Sequence, residues 1–387
     1  MLSAGKRVNA GMKRTPLFDA HQRLGGRLIE FGGWEMPVQY TSIVDEHLAV
    51  RNAAGLFDIS HMGEIFVRGP GAEAYLNHSL TNDARKLAVG QGQYTLMCNE
   101  RGGVIDDLYV YRLGPDEYLL IVNASRIEED TAWLEGQLTT FPRREATRLQ
   151  NASDTTGAVA LQGPRVAGFI DQCFPGVSVA GTPVKEASEL KKNQIAKFDF
   201  PGTQVWVSRT GYTGEDGFEI VAPAGSIEAL WNHLLSIGQP QGLKPAGLGA
   251  RDTLRTEVCY PLYGHELDED TTPLEAGLGF FVALDKDDFV GRPVLAEQKA
   301  KGVAKKLVAL KMTGKSAPPR PHYPVWSSGA HIGQVVSGTQ SPSLGTGIGL
   351  AYVPPEFAKP QTPLEIEIRG NRAPAVVVPK PIYRKAD

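Results

Sequence analysis

Residues 99–111 read Asn-Glu-Arg-Gly-Gly-Val-Ile-Asp-Asp-Leu-Tyr-Val-Tyr, a two-glycine turn and then two adjacent carboxylates leading an apolar strand. Side chains alternate along an extended strand, so Asp106, Leu108 and Val110 share one face while Asp107, Tyr109 and Tyr111 share the other. The first face has the composition of a core. The second sets a carboxylate beside two aromatic rings with polar tips, a common lining for a small-molecule pocket, and a carboxylate there can take or return a proton. Asp107 is therefore the candidate for chemistry and Asp106 for a structural role at the Gly102-Gly103 turn. The alternative is that both acids merely finish the turn, since Asp readily bonds its local backbone.

Two further segments carry chemistry-bearing residues. In Ser-Arg-Thr-Gly-Tyr-Thr-Gly-Glu-Asp-Gly-Phe-Glu-Ile, residues 208–220, alternation points Glu219 away from Phe218 and Ile220. It is either a solvated strand carboxylate or a ligand anchor. In residues 245–257 a small, glycine-rich turn precedes Arg251 and Asp252, which read as a surface ion pair or as a planar guanidinium fork for a carboxylate or carbonyl. Other chemistries lack support. Gly314-Lys315-Ser316 has no glycine five residues earlier, so the phosphate-loop spacing fails, and Gly247-Leu248-Gly249 and Gly345-Thr346-Gly347 read as tight turns. The eight histidines show no His-x-x-x-His or His-x-x-Glu-His spacing and no serine sits in a Gly-x-Ser-x-Gly elbow, which argues against metal hydrolysis and serine nucleophile chemistry.

The elements that must position these residues follow from caps and periodicity. Ser42 precedes a helix with Asp45 and Glu46 in its first turn and Gly55 as its stop. Ser125 and Glu128 form a capping box for a helix carrying Ile127, Leu134 and Leu138 on one face. Ser226 leads Ile227, Leu230, Trp231, Leu234 and Leu235, an amphipathic helix ending at Gly238. Strands are expected over Gly63–Arg68, Leu108–Arg112, Tyr118–Asn123, Gln204–Thr210 and Phe218–Val221, with Leu113–Glu117 as a hairpin turn. Helices and strands do not alternate strictly, so the class is α+β. After about residue 295 a basic stretch, Lys299–Lys306, leads into short segments punctuated by Gly and Pro, which predicts a small all-β barrel or sandwich with a boundary near 290–300.

At 387 residues the chain exceeds one hydrophobic core, and two or three domains are expected. A net charge of -3 with both signs interspersed gives no electrostatic footprint for nucleic acid or membrane. Cys98, Cys173 and Cys259 are odd in number and far apart, which suits buried thiols in a reducing compartment. No apolar run approaches the roughly 18 residues of a spanning helix, and no secretory signal is evident. Residues 1–14 carry Lys6, Arg7, Lys13 and Arg14 without an acid; a disordered tail is preferred over a targeting remnant, with Met12 as an alternative start.

Taken together, and in order, these segments resemble the glycine cleavage T-protein family of aminomethyltransferases. The resemblance runs through Arg14–Phe18, Phe31–Pro37, Gly55–Gly63, Gly102–Leu108, Gly211–Ile220 and Ala246–Leu254. It continues through Leu262–Glu269, Asp288–Arg292 and Ser337–Gly345. It implies a three-part cloverleaf around a central folate channel with a small C-terminal β-barrel. The implied division is a tail at 1–13, a folate-binding region at 14–290 whose inner subdomain spans about 64–150, and a barrel at 295–387. The implied reaction moves the methylene of an S-aminomethyl-dihydrolipoyl arm, carried by a lipoylated H-protein, to tetrahydrofolate. Ammonia leaves and 5,10-methylenetetrahydrofolate forms, with tetrahydrofolate as co-substrate and no metal. The setting would be a bacterial cytoplasm, or the mitochondrial matrix of a eukaryote.

By the same resemblance Asp107 matches the catalytic aspartate, Glu219 the pterin anchor and Arg251 a folate contact. Met62, Tyr94, Tyr111, Asn123 and Tyr212 match the channel lining, although core packing is an alternative for Met62 and Tyr94; Tyr383 resembles a ligand-contacting tyrosine. Two related branches provide other functions. One demethylates small donors onto folate. The other is a non-catalytic folate binder serving iron-sulfur assembly, whose Lys-Gly-Cys-Tyr-x-Gly-Gln-Glu motif is replaced here by Arg209–Asp216. Thr256 departs from the family's more usual leucine in Leu-Arg-Leu-Glu.

Overall fold

A computed structural model describes residues 11–385. Residues 1–10 of the expected tail lie outside the described residues; Lys13 is held by the ribbon Arg27–Gln39, its N–H donating to Gly33 O at 2.9 Å and its carbonyl accepting from Glu35 N at 2.9 Å.

The strand that carries the acid pair, Val104–Gly114, lies in a five-stranded antiparallel sheet of order Gly92–Cys98, Val104–Gly114, Glu117–Val122, Gly63–Arg68, Arg148–Asn151. Alternation holds along it. Leu108 and Val110 join Tyr75, Leu76, Tyr118, Leu120 and Leu134 in a core beneath the helices Ala72–Ser79 and Ile127–Thr140. Tyr109 and Tyr111 face the other way, onto Ile195 and Trp206 of the neighbouring sheet. The predicted hairpin closes with Gly114 opposite Glu117.

That neighbouring sheet has seven strands in the order Ala180–Gly181, Ile195–Phe200, Thr203–Ser208, Gly217–Pro223, Thr156–Gln162, Ala54–Asp58, Leu243–Pro245, the last pair parallel. The chain leaves it after Asp58, builds the five-stranded sheet, and re-enters at Thr156 beside the strand it left. The helix Ile227–Gly238 covers one face with the five predicted apolar residues buried. Leu248–Glu257 covers the other through Ala250 and Leu254.

Local expectations failed where tertiary contacts compete. Ser42 caps Ile43–Asn52 as expected, accepting from Asp45 N at 3.1 Å, but Gly55 does not stop that helix. It sits inside the strand Ala54–Asp58, where a Cβ would come within 2.4 Å of Val50 Cγ2, so its smallness serves a close helix–strand approach. The Ser125–Glu128 capping box does not form. A 3-10 turn, Ala124–Arg126, leads into Ile127–Thr140, and Glu128 pairs instead with Lys13 at 3.1 Å.

The last third closes a six-stranded barrel of order Lys306–Met312, Gly347–Val353, Ala330–Gln340, Pro324–Ser327, Pro363–Ile368, Asn371–Val378. Its join to the seven-stranded sheet is polar. Glu257, 0 % exposed, accepts from Arg51 Nη2 at 2.8 Å, Ser343 Oγ at 2.9 Å and Ser341 Oγ, with His47 Nε2 at 3.3 Å. Burial alone would raise this carboxyl, but hydrogen bonds from His47 and Ser341 and the Arg51 charge bring it down to about 2. The unusual Thr256 is buried in the same helix and satisfies its hydroxyl on Asp252 O at 2.7 Å. Among the described residues no helix is long and apolar enough to cross a membrane.

Candidate active site

The two-glycine turn aims the acid strand. Gly102 has φ +81°, and a Cβ on Gly103 would stand 1.8 Å from Glu269 O, so both positions require glycine. The turn is finished by Asn99, whose Oδ1 accepts from Arg101 N at 2.9 Å and Gly103 N at 3.1 Å. Asp106 takes no part in it, contrary to expectation. Its carboxylate is 0 % exposed and accepts from the backbone N–H of Asn123 at 2.9 Å and from Asn123 Nδ2 at 2.8 Å.

Asp107 is held from two neighbouring strands. Leu96 is its register partner, and Tyr94 reaches diagonally across from its own partner Tyr109 to donate to Asp107 Oδ2 at 2.8 Å. Asn123 Nδ2 donates to Asp107 Oδ1 and to the Asp107 carbonyl, each at 3.0 Å. Burial, and then the charge of Asp106, push the Asp107 carboxyl up to about 7, against the pull of the Tyr94 and Asn123 hydrogen bonds. A carboxyl so poised exchanges a proton readily at neutral pH. Tyr94 in turn packs its ring edge-on against Phe281, with centroids 4.7 Å apart.

The tyrosine face connects Asp107 to Glu219. Tyr109 and Tyr111 lie 5.0 Å apart, and the Tyr111 hydroxyl reaches Ser208 Oγ at 3.2 Å and Thr210 Oγ1 at 3.0 Å. Thr210 Oγ1 donates to Glu219 Oε2 at 2.7 Å. Glu219 is half-buried opposite Ser208, with Phe218 and Ile220 in the core on the far face. One oxygen is thus fixed and the other meets no hydrogen-bond donor among the described residues. Across from it, Arg251 stacks on Tyr212 at 4.7 Å. Arg251 forms no ion pair among the described residues, because Asp252 is taken by Arg255 at 2.7 Å. Burial lowers the Arg251 pKa, partly offset by Glu219 and Tyr212. The Tyr212 hydroxyl donates to Pro261 O.

Asp107, Tyr94, Asn123, Tyr111, Glu219, Tyr212 and Arg251 therefore form one polar and aromatic wall. Met62 is half-buried against the apolar cluster of Phe57, Ile59 and Ala158. Tyr383 lies under the Arg51 guanidinium at 4.4 Å and donates its N–H to Glu257 O at 2.9 Å, at the barrel join.

The description of the GCVT N-terminal domain fits residues 17–286, and that of the glycine cleavage T-protein C-terminal barrel domain fits residues 305–384. The chain belongs to the glycine cleavage T-protein family. It is 48% identical over 377 residues to an aminomethyltransferase of Bacillus cereus, covering 97% of this chain and 99% of that one. The aminomethyltransferase of Bacillus mycoides is 47% identical over the same shares. The crystal structure of the glycine cleavage system aminomethyltransferase T from Bartonella henselae superposes with a TM-score of 0.87 at 34% identity, over 96% of this chain and 98% of that one. The protein is an aminomethyltransferase of the glycine cleavage system, and the demethylase and iron-sulfur alternatives are set aside.

In this aminomethyltransferase one neighbour of the acid pair escaped sequence reasoning. Asp130 belongs to an acidic helix start, yet it is 0 % exposed against Asp106. Its signal was available, because on a helix Asp130 lies three residues from Ile127 and four from Leu134, on the apolar face.

Proposed function

We propose that the protein transfers the methylene group of an S-aminomethyl-dihydrolipoyl arm on H-protein to tetrahydrofolate, with Asp107 as the proton-handling carboxylate. The observation that carries this reading is Asp107 itself: a half-buried carboxyl oriented by Tyr94 and Asn123 and held near neutrality by burial and Asp106. Folate nitrogens are weak nucleophiles, so the site must place them at the aminomethyl carbon and move their protons.

The bonds balance without an added oxidant. Two folate N–H bonds and the C–N and C–S bonds of the aminomethyl thioether break; two folate N–C bonds form. One proton leaves with ammonia and the other with the thiol of the reduced arm. Asp107 accepts the first N–H proton and returns it to the departing group. Glu219, with one oxygen anchored by Thr210, is assigned to a pair of parallel N–H donors on the pterin ring, a geometry suited to a carboxylate. Arg251, free of an acid partner among the described residues, is assigned to a folate carbonyl or tail carboxylate. Tyr94, Tyr111, Asn123, Tyr212 and Met62 line the channel, and Tyr383 is assigned to its barrel-side rim.

In domain terms residues 14–290 bind folate, with an inner subdomain at about 64–150, and residues 295–387 form the barrel. The Bacillus relatives favour a bacterial cytoplasm as the setting. The deciding assay supplies aminomethyl-loaded, lipoylated H-protein and tetrahydrofolate and measures ammonia and methylenetetrahydrofolate. Product with H-protein supports the reading. No product with H-protein, with methyl transfer from a small donor, overturns it.

A further inference from the structure

Behind Asp107 lies a second carboxyl pair. Asp130, on the helix Ile127–Thr140, is 0 % exposed, and neither of its oxygens meets a hydrogen-bond donor among the described residues. It faces Asp106, also 0 % exposed, across one core, where Leu108 and Val110 on the Asp106 face of the strand pack against Ile127 and Leu134 on the Asp130 face of the helix. Two buried carboxylates side by side cannot both stay ionised, so one proton must lie between them. Asp106 accepts an N–H on each oxygen, at 2.8 and 2.9 Å, which favours its anion; Asp130 accepts none. The proton therefore belongs on Asp130, whose O–H donates to Asp106.

The surrounding charges are divided, so the hydrogen bonds decide. The Arg126 charge favours an ionised Asp130, but its guanidinium bonds Glu269 at 3.0 Å and faces Tyr263 at 5.0 Å, and its Nε meets no acceptor, Asp130 included. Glu129 on the same helix adds negative charge. Around Asp106 stand Asp107, Asn123, Tyr94 and Tyr263, none of them a cation.

We propose that Asp130 is a positioning residue for the transfer reaction, a neutral buried acid whose O–H holds Asp106 as an anion, which in turn fixes the Asn123 amide against Asp107. The Asn123 amide has two hydrogens, and the Asp106 anion sets which way they point. With Asp106 charged, Asp107 also keeps a neighbour that favours its protonated form. Without the Asp130 donor, Asp106 would take up the proton itself. Asn123 would then lose its charged acceptor, and Asp107 would become easier to ionise.

The proposal rests on Asp107 as the proton carrier, and the test separates the two. In the transfer assay with loaded H-protein, Asp130→Asn, whose amide N–H replaces the O–H, should keep kcat/KM within about threefold and keep the acid limb of its pH profile. Asp130→Ala should lose about 10- to 100-fold, less than the full contribution of a general acid or base, and move the limb to lower pH. A wild-type profile in Asp130→Ala, or a limb moved to higher pH, overturns the proposal. Infrared spectroscopy gives a readout independent of activity. At about pH 9, where an ordinary aspartic acid is ionised, the wild type and Asp107→Asn should both show a neutral carboxylic acid band that is missing in Asp130→Asn. No band in the wild type, or one that survives in Asp130→Asn, overturns the proposal. Wild-type activity in Asp107→Asn would instead sink the role of Asp107.

Discussion

Replacing Asp107 by Asn exchanges one oxygen for an NH2 at almost unchanged shape. The remaining oxygen can still accept from Asn123, and the new amide faces the Tyr94 hydroxyl, which can rotate to accept. Folding and folate binding should survive, whereas proton transfer should not. A positioned acid or base contributes about 10²- to 10⁴-fold, or roughly 3–5 kcal/mol of barrier, and turnover should fall by that factor. The wild-type rate should decline as pH drops below about 7, where Asp107 becomes protonated, and this bend should vanish in the variant. Stability should move the other way. An unfolded aspartate titrates at about 3.9 and the folded Asp107 at about 7. The fold thus favours its protonated form, and ionisation costs stability as pH rises between those values and at every pH above. Asp107→Asn removes that cost and should be more stable at alkaline pH, on the order of 1–3 kcal/mol. Three measurements on one preparation decide: single-turnover transfer, tetrahydrofolate titration calorimetry and thermal unfolding against pH. Wild-type turnover refutes the reasoning, as does a joint loss of turnover, folate affinity and stability, which would make Asp107 a structural residue.

Glu219→Gln should weaken tetrahydrofolate binding about 10- to 100-fold, the roughly 1.5–3 kcal/mol of a charge-assisted hydrogen bond, with little change in melting temperature; unchanged affinity by calorimetry would remove Glu219 from the folate site. Glu257→Gln should destabilise the protein by about 1.5–3 kcal/mol, because Arg51 loses the anion it meets at 2.8 Å and keeps Glu215 at 3.1 Å; chemical denaturation measures this. The depressed pKa of Glu257 makes its contribution complete above about pH 4.5 and lost as pH falls towards about 2. The wild type should therefore lose stability across that window and Glu257→Gln should lose less; parallel curves would show that Glu257 contributes nothing to acid sensitivity.

Local periodicity carried much of the fold. Gly63–Arg68 and Ile227–Gly238 have the bounds their apolar patterns imply, and alternation alone put Asp107 on the tyrosine face and Glu219 opposite Phe218. Errors arose where a residue's partner is distant in the chain. Ser125 and Glu128 satisfy a capping rule that a 3-10 turn and Lys13 displace. For Arg251 two readings stood open, and the ion pair gives way because Asp252 bonds Arg255 one helical turn on.

Residue types and spacing by themselves determined which side chains could do chemistry and which strand face they occupy, since backbone geometry imposes a period of two wherever a strand forms. Only the tertiary structure decided what those side chains become. Asn123 arrives from the end of the next strand to join Asp106 and Asp107, Tyr94 from the preceding one, and Asp130 from a helix that packs beneath. Burial among these neighbours lifts Asp107 to about 7, and an aspartate in an isolated strand would have an ordinary carboxylate pKa. Desolvation and charge coupling depend on what surrounds a group in space, and spacing along the chain does not encode them.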